Sequence, residues 1–78
     1  MPADPLHAVF AAGLNLPLES ITEELAYRGV PQWDSISHMA LVAALENRYQ
    51  VMLETQDVLG LSSVASARAI LRKYGVTP

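Results

Sequence analysis

Cysteine is absent from these 78 residues, so neither a disulfide bond nor a thiolate metal site can stabilise the fold. The two histidines, His7 and His38, stand far apart in the sequence and form no recognisable metal-binding motif. Only 6% of the residues are aromatic, although 51% are hydrophobic. We therefore expect a core made by aliphatic packing alone, with no metal ion.

Basic residues are also few, with five Lys and Arg against eight Asp and Glu and a net charge of −3. Nucleic-acid binding would require clustered basic side chains, so we expect no nucleic-acid partner. The sequence has no run of about 18 apolar residues, and its short apolar N-terminal stretch lacks a basic segment before it. We therefore expect one cytoplasmic, monomeric domain over residues 1–78, without a membrane partner.

The first helix is marked by Asp4 and Pro5, which suit the cap and the first position of a helix N-terminus. Its apolar face would consist of Leu6, Val9 and Phe10. Gly13 is a typical residue for a helix C-terminus. The pattern therefore predicts a helix from about Pro5 to Ala12.

A long connection, residues 14–32, separates the first helix from the second. A connection of this length is unusual unless it packs on the domain or serves a function. Six apolar residues are available to anchor it: Leu16, Leu18, Ile21, Leu25, Tyr27 and Val30. We expect it to lie against the helices, with one helical turn over residues 20–24 capped by Ser20 or Thr22.

The second helix begins at Asp34 or Ser35, ends at Arg48 or Tyr49, and carries two apolar stripes. The bulkier stripe consists of Leu41, Val42, Leu45 and Tyr49. Its helical spacing and its bulk assign it to the core. The smaller stripe consists of Ile36, Met39, Ala40 and Ala43. It is either additional core or a contact surface for partners, and His38 is expected at the solvated surface.

Two further helices follow: a short one over residues 54–59, ended by Gly60, and a last one capped by Ser62 or Ser63. The core face of the last helix would be Val64, Ala67, Ile70, Leu71 and Tyr74. Arg68 interrupts this face and is expected to point outward, and Gly75 ends the helix. With no strand pattern, the sequence predicts an all-α, four-helix bundle of three main helices, one short helix and a long first loop.

Several of these segments together resemble acyl carrier proteins. The resemblance lies in the approach from Tyr27 to Ser35, in the start Asp34-Ser35-Ile36 of the second helix, and in Leu61-Ser62-Ser63-Val64. It extends from the first helix to Tyr74 without an insertion. It implies the four-helix fold of that family and a protein with no catalytic residues of its own. The residues agree with the second point, because no Ser-His-Asp or paired-carboxylate set is visible in the sequence.

By this resemblance, Ser35 carries a covalent 4′-phosphopantetheine arm, which a separate phosphopantetheinyl transferase attaches from coenzyme A. The chain would hold an acyl or aminoacyl intermediate as a thioester on this arm. It would receive the intermediate from a loading enzyme and deliver it to downstream synthase or tailoring enzymes. Asp34 corresponds to the acid that helps the transferase bind its metal ion, and Ile36 replaces the usual leucine. A phosphodiester is also favoured at a helix N-terminus.

Simpler interpretations exist for the same residues. Asp and Ser are ordinary helix starters, so Ser35 could serve only as the cap of the second helix. Trp33 is expected to anchor the edge of the core, with partial shielding of the arm as the alternative. Met39 suits either simple packing or an adaptable contact surface.

The partner surface is predicted on the second helix and comprises Ile36, Met39, Ala40, Ala43, Asn47 and Arg48. Fatty-acid carriers usually present an acidic second helix, whereas this chain has Asn47 and Arg48, with Glu46 as the main acid. The sequence therefore favours a carrier of specialised, polyketide- or peptide-type biosynthesis over a housekeeping fatty-acid carrier. An unmodified helical adaptor, which binds partners through the smaller apolar stripe, is the alternative from a different class.

Overall fold

A computed structural model describes residues 4–77 of the chain. These residues form four α-helices: α1 (Pro5–Leu14), α2 (Ser35–Tyr49), α3 (Thr55–Gly60) and α4 (Val64–Lys73). A 3₁₀ turn, Leu18–Ser20, lies in the long connection, and the described residues contain no strand. The prediction of a small all-α bundle is confirmed. In the same residues, no helix has both the length and the apolar character needed to cross a membrane.

The core lies between α1, α2 and α4 and is closed by residues of the connections. Its buried hydrophobic residues are Leu6, Val9, Phe10, Leu14, Ile21, Trp33, Leu41, Val42, Leu45, Leu53, Leu61, Val64, Ala67, Ile70 and Leu71. The bulkier stripe of α2 is therefore in the core, as predicted, with Tyr49 half-buried at its end. Of the predicted core face of the last helix, Val64, Ala67, Ile70 and Leu71 are buried, whereas Tyr74 is the C-cap and half-buried.

The end of α1 differs from the prediction. The helix continues through Gly13 to Leu14, and Asn15 is the C-cap in the left-handed conformation, with φ 56°. Asparagine adopts this conformation more readily than most residues. Gly13 serves a different purpose, because a Cβ at this position would lie 3.1 Å from Cα of Leu41. The glycine allows α1 and α2 to approach closely, so its assignment as the C-cap was wrong.

The long connection packs on the bundle, as predicted, but its local structure differs. In place of a helical turn over residues 20–24, a single hydrogen-bonded turn runs from Thr22 to Leu25, with Leu25 N donating to Thr22 O at 3.1 Å. The 3₁₀ turn at Leu18–Ser20 follows Pro17, whose φ of −65° suits that start. Leu18 remains 40% exposed, so it is not an anchor. Ile21 is buried, and the remaining predicted anchors, Leu16, Leu25, Tyr27 and Val30, pack against the core while partly exposed.

The connection is fixed to the start of α4 by backbone hydrogen bonds. The carbonyls of Leu25 and Glu23 accept from the N–H groups of Val64 (3.3 Å) and Ala65 (3.2 Å). A helix start leaves such N–H groups without partners inside the helix. Ser63 completes the cap by accepting from Ser66 N at 3.0 Å, so of the two predicted caps Ser63 is the correct one.

Arg68 does not point outward, and that prediction was wrong. Its side chain is only 19% exposed, and Nη2 lies 2.8 Å from Asp4 Oδ2 and 2.9 Å from Glu23 Oε2. Arg68 follows Val64 by four residues and therefore lies at the edge of the core face. Its charge is tolerated there because it is paired. Hydrogen bonds from Arg68, and then from His7, hold the pKa of Glu23 below its usual range.

Helix α3 begins and ends one residue later than predicted, and Gly60 belongs to its last turn. Asp57 is buried in α3, where its carboxylate accepts hydrogen bonds from Lys73 Nζ and from the hydroxyl of Tyr74. The bond from Lys73 is the main reason why the pKa of Asp57 is lowered. Tyr74 Oη also accepts from Glu54 N at 3.0 Å. These contacts fix α3 to the end of α4.

Candidate functional site

Asp34 and Ser35 have different structural roles at the start of α2. Asp34 has extended backbone angles, and its Oδ1 accepts a hydrogen bond from Ser37 N at 2.9 Å, so Asp34 is the N-cap. Ser35 is the first helical residue; it is exposed, and its hydroxyl makes no hydrogen bond with residues 4–77. The interpretation of Ser35 as a mere helix cap is therefore wrong.

The Asp34 carboxylate is favoured electrostatically at this position. The hydrogen bond from Ser37 N–H is the largest cause that lowers the pKa of Asp34, so the group is ionised at neutral pH. The positive end of the helix dipole favours the same charge state. An exposed hydroxyl thus stands directly beside a fixed negative charge at the start of a 15-residue helix.

A tight loop before α2 determines where Ser35 is presented. Gly29 N donates to Ala26 O at 2.8 Å, and Arg28 N donates to Trp33 O at 3.0 Å. A Cβ on Gly29 would lie 2.9 Å from Ala26 O, so only glycine fits this turn without displacement. The loop borders a cleft of about 300 Å³ lined by Arg28, Gly29, Val30, Pro31, Trp33 and Asp34. The cleft therefore lies immediately beside the exposed serine.

Trp33 anchors this loop from inside the core. Its side chain is fully buried, and its ring meets Phe10 edge-on with 5.5 Å between centroids. Tyr27 makes a second edge contact at 6.1 Å. Because the indole has no exposed surface in this structure, the geometry supports the anchoring role of Trp33 and offers nothing for the shielding alternative. Trp33 lies within the core and not at its edge.

His38 is the site residue that was not recognised from the sequence. It is half-buried, its Nδ1 lies 3.0 Å from Trp33 Nε1, and its Nε2 lies 2.9 Å from Val58 O. The expectation of a solvated surface residue was therefore wrong. The missed signal was its spacing, because His38 precedes Leu41 by three residues and Leu45 by seven, which places it on the core face of α2.

The residues of the predicted partner surface are exposed, although they do not form one continuous row. Ile36 is 81% exposed and Met39 58% exposed, so the smaller stripe of α2 is not additional core. Ala40, Ala43, Asn47 and Arg48 are exposed as well. On α3, Leu59 is 79% exposed and adds an apolar side chain that the sequence prediction omitted. Their function as a partner surface stays a prediction.

Arg48 stands apart from the other residues of this surface. With a helical rotation of about 100° per residue, it lies roughly 120° around α2 from Ile36. Its guanidinium lies 5.5 Å from the ring centroid of Tyr49. Arg48 and Asn47 border a groove of about 370 Å³ between α1 and α2. Glu46 is expected to be the main acid of this surface, and its Oε2 accepts a hydrogen bond from Leu53 N at 2.9 Å.

One group of side chains has the composition of a metal site. The ligand atoms of Asp4, His7 and Glu23 all lie within 4.8 Å of one another. The guanidinium of Arg68, however, donates hydrogen bonds to both carboxylates. The Arg68 guanidinium therefore already provides the positive charge that a metal ion would bring. We interpret the cluster as a set of ion pairs that links α1, the connection and α4.

No protein-family model matches this chain, and no curated protein matches it either. The function is therefore inferred from the residues at the start of α2 and from their contacts.

Proposed function

We propose that this protein is a carrier that accepts a 4′-phosphopantetheine arm on Ser35. The observation that supports the proposal is the division of tasks at the start of α2. Asp34 caps the helix, and the hydroxyl of Ser35 is exposed and without a hydrogen bond in the described part of the chain. A serine that capped its own helix would have to give up a stabilising bond before it could react. Ser35 has no such bond to lose.

The proposed modification joins the Ser35 oxygen to the pantetheine-side phosphorus of coenzyme A. A new P–O bond forms, the bond to the bridging oxygen of the diphosphate breaks, and adenosine 3′,5′-bisphosphate leaves. A base of the transferase takes the hydroxyl proton, since no described side chain accepts it from Ser35. The resemblance assigns to Asp34 the support of the metal ion in the transferase. The product phosphodiester would stand at the positive end of the α2 dipole.

The bound arm supplies a terminal thiol on which an acyl or aminoacyl group is held as a thioester. We infer a specialised, polyketide- or peptide-type pathway, with a loading enzyme and downstream synthase or tailoring enzymes as partners, in the cytoplasm. The charge of α2 supports this choice over a fatty-acid carrier. Glu46 is engaged with the backbone of Leu53, and Asn47 is exposed and uncharged. Arg48 adds an exposed positive charge on the side of α2 that borders α1.

The test is the intact mass of the protein after incubation with coenzyme A, Mg²⁺ and a broad-specificity phosphopantetheinyl transferase. We expect wild type to gain one arm. Ser35→Ala should gain none, and Ser37→Ala, which alters a serine in the same helical turn, should gain one. A modified Ser35→Ala protein, or wild type that remains unmodified with transferases that modify a control carrier, would contradict the proposal.

The second candidate is an unmodified adaptor, and the exposed apolar side chains favour it. Ile36, Met39 and Leu59 are each more than half exposed, and Ile36 and Met39, three residues apart on α2, share one face of the helix; exposed apolar patches commonly mark contact surfaces. An adaptor would bind its partner equally well with serine or alanine at position 35. Binding that is abolished by Met39→Asp but unchanged by Ser35→Ala would support this candidate.

A further inference from the structure

His38 joins three parts of the protein at one side chain. It stands on α2, one turn after Ser35, with Trp33 of the connection on one side and Val58 of α3 on the other. The indole N–H of Trp33 can only donate, so Nδ1 of His38 must accept. The carbonyl of Val58 can only accept, so Nε2 must donate. The two partners therefore assign the Nε2–H tautomer.

Both partners depend on this imidazole. Trp33 is fully buried, and a buried N–H group normally requires a hydrogen-bond partner. Val58 packs against the core, and the other hydrogen bonds that tie α3, with its N-cap Glu54 and its C-cap, to the described residues outside this segment run to Lys73 and Tyr74 at the end of α4. Within residues 4–77, the bond from His38 to Val58 O is the one hydrogen bond that links α2 to α3.

We infer that His38 is a positioning residue that couples α3 to the anchored loop before Ser35. One nitrogen holds Trp33, two residues before the serine, and the other holds α3. A ligand, cargo or partner that moves α3 therefore acts on the Trp33 contact, although Trp33 has no hydrogen bond to α3. The coupling between Trp33 and α3 stands without the proposed function; its effect on modification at Ser35 rests on that function.

Two substitutions separate hydrogen bonding from ring packing. The His38 ring also stacks on Trp33, with 6.1 Å between centroids and 18° between planes, and meets Tyr27 edge-on at 5.2 Å. His38→Phe keeps an aromatic ring and removes both hydrogen bonds. His38→Gln removes the ring but offers a carbonyl oxygen to Trp33 and an N–H to Val58. Coupling by hydrogen bonds and simple packing therefore predict opposite orders for the two variants.

The experiment is amide hydrogen exchange of the unmodified 78-residue protein, in which the exchange rates of the α3 amides are compared with that of the Leu45 amide in the core. We expect His38→Phe to increase the exchange of α3 by about tenfold relative to the core, as for the loss of one hydrogen bond. His38→Gln should restore protection to within about threefold of wild type. His7→Gln, a change to the other histidine, should leave α3 unaffected.

Trp33→Phe provides the second, independent test of coupling. It removes the indole donor without changing any group that contacts α3 by a hydrogen bond, and the coupling predicts that α3 exchange nevertheless rises relative to Leu45. Protection of α3 that is unchanged in both His38→Phe and Trp33→Phe would overturn the inference. The inference would also be overturned if the α3 amides exchanged as fast in His38→Gln as in His38→Phe, because packing of the His38 ring, and not its hydrogen bonds, would then explain the protection of α3.

Transferase kinetics extend the test to Ser35. We expect His38→Phe to lower kcat/KM for arm transfer while His38→Gln retains it. If both variants have the same kcat/KM for arm transfer while their α3 amides still exchange at different rates, the coupling reaches α3 only, and the inferred effect of His38 on Ser35 is overturned. If wild type takes no arm at all, the proposed function fails while the exchange result still decides the coupling.

Discussion

Replacement of Leu45 by alanine tests which stripe of α2 supports the fold. Leu45 has 0% exposure and belongs to the hydrophobic core. A Leu→Ala change at such a site removes the transfer free energy of the lost methyl groups and leaves a cavity, at a cost of about 2–5 kcal/mol. A domain of this length is stable by only about 4–12 kcal/mol. Leu45→Ala should therefore remove at least about a sixth of the free energy of unfolding, and close to half of it at the middle of both ranges.

Met39→Ala is the matched control on the same helix. Met39 is 58% exposed, and methionine and alanine both favour helices, so the free energy of unfolding should change by no more than about 0.5 kcal/mol. Urea unfolding followed by far-UV circular dichroism measures both variants. The midpoint should fall for Leu45→Ala with the slope m unchanged. Equal shifts in the two variants would show that the inward face of α2 was wrongly assigned.

Three further predictions concern the site and its surroundings. Ser35→Ala should melt like wild type, within about 0.5 kcal/mol because its hydroxyl is unbonded, and should accept no arm by intact mass. The pKa of Glu23 is lowered in the folded protein, so its ion pair adds stability above pH 4.5, the ordinary pKa of the group, and this contribution is lost as the pH falls through the folded pKa. Arg68→Met should therefore lower the urea midpoint at neutral pH and weaken the dependence of that midpoint on pH between about pH 5 and 3. Loaded wild type should be a poor substrate for a fatty-acid ketosynthase at low salt, and the double change Asn47→Glu with Arg48→Glu should raise its initial rate; wild-type rates equal to those of a fatty-acid carrier would remove the specialised-pathway proposal.

The helices could be predicted because their signals are local. Asp4 and Asp34 both cap the helices that follow them, and the apolar spacing of α2 and α4 places the correct residues inside. The end of α1 could not be predicted as well. Gly13 carries the usual signal for a helix end, but close packing against Leu41 requires the same residue inside the helix. Sequence alone does not distinguish these two uses of a glycine.

The errors at Arg68 and His38 have a common physical cause. Both are polar residues on a core-facing spacing, and each has a hydrogen-bond partner that is distant in the sequence, 64 residues away for Asp4 and 20 for Val58. A helical pattern predicts the direction of a side chain, but it does not show whether a hydrogen-bond partner lies in that direction. Polarity by itself predicts exposure, whereas hydrogen bonds hold both residues in partly buried positions.

At the candidate site, the sequence placed the start of α2 at Asp34 or Ser35 without deciding which residue is the cap, and it did not predict the structure that supports them; the structure makes Asp34 the cap. The cap and the first helical position follow from residue type and order. The cleft beside them, the buried indole of Trp33 and its bond to His38 depend on how the connection folds back over the core. Arg48 belongs to the predicted partner surface with Ile36, yet the helix turns it towards α1; its part in partner binding stays a prediction.

The two sides of the candidate site are held with unequal strength, and this difference has a thermodynamic consequence. The loop that presents Ser35 is closed by backbone bonds and anchored by a fully buried tryptophan. Helix α3 has six residues, presents Leu59 to solvent, and is fixed to the end of α4 through Asp57. Within residues 4–77 it shares one hydrogen bond with α2, at Val58. A partner that binds Leu59 together with Ile36 must therefore bind a particular position of α3. Because coupling between sites is reciprocal, a group on Ser35 that favours that position would strengthen partner binding by the same factor by which the partner favours the group.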